Sequence, residues 1–91
     1  MAASDYEKDP DAKLDWHFDW SSWLADDETI SNSAFICSAG IVVESTSATA
    51  TNTTIWLSGG QPGQPYRITN RITTSQNRID DRSITIRVKD R

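Results

Sequence analysis

The sequence predicts an all-β protein, a two-sheet sandwich carried by residues 29–91 and preceded by an extended, aromatic and acidic N-terminal arm over residues 1–28. Three observations lead there. After residue 28 the chain runs in short Thr-, Ile- and Val-rich segments separated by Gly, Pro, Ser and Asn, the composition of strands and turns. Two of those segments alternate apolar and polar residues with a period of two, as strands half-buried on a core do. Charge divides at the same place: residues 1–30 hold nine acids against Lys8 and Lys13, a net of −7, and residues 31–91 hold seven bases against four acids, a net of +3, together the −4 of the whole chain. Ninety-one residues allow one domain with a modest core, which is expected to lean on neighbours.

The arm comes first. Leu14, Trp16, Phe18 and Trp20 alternate with Asp15, His17 and Asp19, which predicts a strand. A helical reading through Trp16, Trp20, Trp23 and Leu24 is weaker, because Asp19 or Ser21 can then cap a single turn over Ser22–Ala25. Asp26, Asp27 and Glu28 read as a solvated break. Strands are expected near 29–37, 40–45, 49–58, 65–74 and 78–89. The last is the plainest, with Ile84, Ile86 and Val88 against Ser83, Thr85, Arg87 and Lys89. Tyr66, Ile68 and Ile72 against Arg67, Thr69 and Arg71 repeat it. Glu44–Thr54, rich in Ser, Thr and Ala, reads as a weak edge strand. Ser58-Gly59-Gly60-Gln61-Pro62-Gly63-Gln64-Pro65 must be a turn, since Gly admits positive φ and Pro lacks an N–H. Ser75-Gln76-Asn77 is a hairpin tip. No repeat of 20–50 residues suggests a solenoid.

The chemistry available is thin. Asp15, His17 and Asp19 share a strand face, but side chains two apart on a strand stand about 6.5–7 Å from one another and no fourth ligand follows, so a solvated face is the better account. Asp26, Asp27 and Glu28 lack the spacing of a calcium loop. Ser58-Gly59-Gly60 lacks the Lys-Ser/Thr and the helix of a phosphate loop. Cys37, the one cysteine, has no cationic neighbour to activate it and no partner for an intramolecular disulfide. The expectation is therefore no enzyme, no metal and no cofactor. The absence of an apolar leader or of about 20 consecutive apolar residues predicts a soluble, non-exported chain without a membrane span. Overall acidity and the lack of aromatics among the arginines predict no nucleic-acid partner.

What remains is contact between proteins. Leu14, Trp16, Phe18, Trp20, Trp23 and Leu24 are a large apolar area within eleven residues; they either pack on the protein's own sandwich or dock on another subunit, as Trp anchors do. Arg67, Arg71, Arg87 and Lys89 form a basic strand face suited to the acidic segment of a neighbouring copy or partner.

Lys8-Asp9-Pro10-Asp11-Ala12, Leu14-Asp15-Trp16, Asp19-Trp20-Ser21-Ser22-Trp23-Leu24, Trp56-Leu57-Ser58-Gly59-Gly60 with Gly63 and Tyr66, Arg71-Ile72-Thr73-Thr74 and Asp80-Asp81-Arg82-Ser83 together resemble a family of small virion-associated proteins of tailed bacteriophages and prophages, often described as phage fibre or structural proteins. The resemblance covers nearly the whole chain. Within it, Gly-Gly-x-x-Gly-x-x-Tyr is shared with immunoglobulin-like sandwiches, where a Tyr at a strand start ties down the preceding corner, although Pro65 restrains the chain there. The resemblance implies an immunoglobulin-like fold and a non-enzymatic virion structural protein assembled in the host cytoplasm. The leading expectation is a capsid-associated decoration subunit docking through its arm. Its partners would be the major capsid protein or neck and tail proteins, and copies of itself. The alternatives are a head–tail connector or tail-fibre-associated protein and, from another class, a host-surface or carbohydrate-binding module.

Overall fold

Residues 4–89 are described by the structure, a computed structural model. Seven strands run in chain order: β1 (Ser4–Lys8), β2 (Leu14–Asp19), β3 (Ile30–Cys37), β4 (Ile41–Ala48), β5 (Asn52–Gly59), β6 (Pro65–Thr74) and β7 (Ile79–Val88). They form a four-stranded sheet of order β1-β7-β6-β3 facing a three-stranded sheet of order β2-β5-β4. All pairings are antiparallel except β1 with β7, where Ser4–Lys8 run parallel to Ile84–Val88.

The all-β expectation holds, and the strands after residue 28 lie close to where periodicity puts them. β1 is an addition, since its polar sequence carries no apolar alternation. The Ser/Thr stretch divides into the end of β4 and the start of β5, separated by a turn in which Thr49 N–H donates to Asn52 O at 2.8 Å.

The arm requires a correction. Residues 14–19 are β2, hydrogen-bonded along β5 from Leu14 opposite Leu57 to Asp19 opposite Asn52, and β1 closes the other sheet. No sheet boundary falls at residue 28. The alternation read as an arm is that of a strand whose inner face is the core: Trp16, Phe18 and Trp20 lie there with Ile55, Leu57, Ile68, Ile72, Ile86 and Val88. Trp23 and Leu24 pack against that core from the turn after β2, where Trp23 and Leu24 N–H both donate to Trp20 O and Asp19 Oδ1 accepts from Ser21 N–H, the capping expected. Excision of residues 1–24 therefore removes two strands and three core aromatics.

One polar residue joins the layers. Asn70, fully buried on β6, accepts at Oδ1 from Trp20 Nε1 (3.0 Å) and Thr53 Oγ1 (2.6 Å) and donates from Nδ2 to Ser33 Oγ (2.9 Å) and Ala34 O (3.0 Å). Both lone pairs and both N–H groups are used, so the amide ties β3, β5, β6 and the turn after β2 with no orphaned polar atom.

Tyr66 secures the Gly/Pro turn: its Oη accepts from Gln61 N–H at 2.8 Å, the tie expected, with Pro65 in place. Gly60 there has φ +91°, and a Cβ on it would sit 2.6 Å from Val88 Cγ2, so only glycine fits. Asn77 takes φ +62° at the β6–β7 tip.

Glu28 is the second correction, for it is buried rather than solvated. Its carboxylate accepts from Ala25 N–H (3.0 Å) and Thr74 Oγ1 (2.5 Å) and pairs through both oxygens with Arg78, whose guanidinium also lies 4.2 Å from the Trp23 ring centroid. These contacts, the Arg78 hydrogen bond foremost, then the Ala25 amide and Thr74, hold the carboxyl at about 2 against an ordinary 4.5. A lowered folded pKa contributes stability that is complete above pH 4.5 and lost as pH falls toward 2. We expect the thermal midpoint of the wild type to drop over that window, and Glu28→Gln to be less stable at neutral pH with a shallower acid slope. Equal slopes would assign the acid lability to other carboxylates.

Candidate functional site

Burial decides which of the expected contact residues can meet a partner. Trp16, Phe18 and Trp20 present almost no surface, and Trp23 and Leu24 are half-covered. The rings are held from several sides: Trp16 edge-on to Tyr6, Phe18 to Phe35, and Trp20 to Trp23, with Arg82 over the Trp20 ring at 4.2 Å. Leu14 alone of the aromatic-arm set is exposed, at the start of β2. Of the two roles open to these side chains, packing on their own sandwich is the one the structure realises. An anchor residue must have free surface, and these have spent theirs on the core.

Arg67, Arg71, Arg87 and Lys89 do lie together, on the outer face of the four-stranded sheet, because strand parity turns residues 67, 69 and 71 of β6 and 83, 85 and 87 of β7 away from the core. Arg71 is engaged within the molecule, donating from Nε and Nη2 to both oxygens of Asp81 at 2.8 and 2.9 Å, which lowers the Asp81 carboxyl below its ordinary range. Lys89 pairs with Glu7 at 2.8 Å. Arg67 reaches only Ser83 Oγ, at 3.4 Å. Among the described residues neither Arg67 nor Arg87 has a carboxylate at salt-bridge distance. Of the four expected cations, these two are the ones without an acidic partner among the described residues. Ile36 and Ile79 add exposed apolar surface to the same face.

The outer face of the three-stranded sheet carries the opposite sign. Asp15 and Asp19 of β2 and Glu44 of β4 stand there against Lys13. Glu44 occupies a bulge between Val43 and Ser45, and accepts from Ser58 Oγ at 2.5 Å. Asp15 meets His17 Nε2 at 2.9 Å, and His17 Nδ1 shares a hydrogen bond with Thr54 Oγ1 at 2.8 Å. In the middle of this polar sheet lies Trp56, on the central strand opposite Asp15 and Ser45 and 38 % exposed, with Val42 nearby at 50 %. Trp56 was absent from the expected contact set. The signal was available: between core residues Ile55 and Leu57, parity turns its ring to the outside.

Among the described residues no three His, Cys, Asp or Glu side chains converge on a metal position, and no helix is long and apolar enough to cross a membrane. The Cys37 thiol is half-buried, and burial pushes its pKa up, away from the reactive thiolate.

A family model described as podophage GP4 fiber-tail adaptor protein gp77 matches residues 8–87. The chain belongs to that family. The gp77 family is one of phage virion structural proteins, as the opening and Trp-rich motifs implied, and its match runs from Lys8 at the end of β1 to Arg87 near the end of β7. No curated protein matches the sequence. The expectation of a capsid-decoration subunit is not supported by the gp77 assignment, which favours the tail-fibre-associated alternative instead.

Proposed function

We propose that this protein is a non-enzymatic fibre–tail adaptor of a podophage virion, bridging two different virion proteins through the outer faces of its two sheets. The observation that carries the reading is the opposed character of those faces. One displays Arg67 and Arg87 beside Ile36 and Ile79; the other displays Trp56 and Val42 among Asp15, Asp19 and Glu44. An adaptor needs two surfaces that do not compete, and faces of opposite sign on opposite sides of a rigid sandwich select different partners. Support for an immunoglobulin-type sandwich comes from strand order: β2-β5-β4 and β3-β6-β7 follow the B-E-D and C-F-G arrangement of that fold, with the Tyr66 tie at the corner before β6.

The test is binding of the purified chain to tails lacking fibres and, separately, to fibres. Trp56→Ala is expected to lose one partner by about 30-fold or more, the worth of an aromatic anchor of roughly 2 kcal/mol. Arg67→Glu with Arg87→Glu is expected to weaken the other partner, more at low salt than at high, since exposed charges are screened within about 10 Å at 0.1 M. Each variant should keep the partner that the other loses. Retention of both partners by both variants would remove the two sheet faces from the mechanism.

A further inference from the structure

The sandwich has four sheet edges, and they are guarded unequally. β1 carries the exposed Glu7, and β2 carries Asp15, His17 and Asp19 in six residues. β4 has a charge, Glu44, seated in a mid-strand bulge that breaks its ladder. Charges and bulges are the devices by which edge strands avoid pairing with another chain. β3 has neither over most of its length. Its eight residues, Ile-Ser-Asn-Ser-Ala-Phe-Ile-Cys, include no ionisable carboxylate or base, and its irregularity is confined to the first residues, so Asn32–Cys37 run in unbroken register along β6. Among the described residues the other side of β3 pairs with no strand. Beside its first half a cleft of about 440 Å³ opens between residues 30–33 and residues 46–50 at the end of β4.

We propose that the β3 edge is a self-association site, at which β3 of a second copy of this chain pairs antiparallel to join two four-stranded sheets into one of eight strands. The choice of a second copy rests on charge. In a two-fold contact each patch meets the same patch of the other copy, so an edge rich in one sign repels its counterpart. β2 would set acid against acid, whereas β3 brings no charge to the contact. Symmetry also restricts the register. A two-fold axis normal to the sheet keeps each side chain on its face, so directly opposed residues must share a face and the axis must pass beside a residue rather than between two. On the outer face the regular segment presents Asn32, Ala34 and Ile36, opposite Thr73, Arg71 and Thr69 of β6. Ala34 is central, and an axis beside it opposes Ala34 to Ala34 and Asn32 to Ile36. This edge borders the four-stranded face assigned to a virion partner and shares Ile36 with it, but the contact is made by the β3 backbone, and the inference does not depend on the adaptor reading.

The experiment is the solution mass of the purified chain by light scattering, for the wild type, Ala34→Glu and Ala34→Lys. The wild type is expected to show twice the chain mass. Each variant alone places like charges opposite one another and should be monomeric, with a far-ultraviolet spectrum and thermal unfolding that show the sandwich intact, since Ala34 is exposed. An equimolar mixture of the two variants opposes Glu to Lys and should recover the dimer, a rescue that simple loss of fold would not give. A monomeric wild type overturns the proposal, including the case in which β3 pairs only with a strand of another virion protein. So do variants that remain dimeric alone, or a mixture that stays monomeric.

Discussion

Trp20→Ala is expected to destabilise the protein by about 3–5 kcal/mol, the usual cost of deleting a buried aromatic ring, and so to consume a large part of the roughly 5–13 kcal/mol that a chain of this length commands. The ring is fully buried, edge-on to Trp23 at 5.6 Å, covered by Arg82 at 4.2 Å and hydrogen-bonded to Asn70. Alanine leaves a cavity at the joint between the sheets and removes the surface on which Arg82 lies. Denaturant unfolding checks this, with Trp56→Ala as the control. Trp56 is the same residue type on the outward face, and its loss should cost no more than about 1 kcal/mol of stability while reducing binding. Equal stability losses at both positions would mean that burial does not separate the core tryptophan from the contact tryptophan.

Asn70→Ala is the second large effect. It strands Trp20 Nε1 and Thr53 Oγ1 inside the sandwich, and a buried polar group without a partner costs about 1–3 kcal/mol, so a loss of roughly 2–6 kcal/mol is expected from these two groups. Ser33 Oγ and Ala34 O, nearer the surface, can recover water. Because Trp20→Phe removes the same hydrogen bond from the other end, the double variant should be less destabilised than the sum of the singles, with a coupling of about 1 kcal/mol. Additive losses would show that the Trp20–Asn70 hydrogen bond contributes nothing beyond the packing of each side chain.

Strand type was legible from local pattern alone. Ile84, Ile86 and Val88, or Tyr66, Ile68 and Ile72, bury one face of a strand whatever surrounds them, because a period of two admits no other amphipathic element. Turns at Gly60 and Asn77 were legible for a like reason, since positive φ is a property of the residue. The phage structural family was legible in motifs that run through both sheets.

What covers a face is not a local property. The alternation of Leu14–Trp20 is the same for an arm reaching a neighbour and for β2 lying on β5, and only the pairing of Trp16 with Ile55 and Phe18 with Thr53 turns those rings inward. Acidic Glu28 reads as solvated until Arg78, fifty residues later, is folded against it. Asn70 is an unremarkable polar residue in sequence and becomes the joint of two layers only when β3, β5 and β6 converge on it. Sequence by itself determined which residues alternate, where the backbone turns and which family the chain joins, because those follow from single residues and short spacings. Tertiary structure alone decided which tryptophans are core and which one is surface, and which arginines remain unpaired, because burial and ion pairing depend on partners that lie far apart in the chain and meet only when the two sheets close.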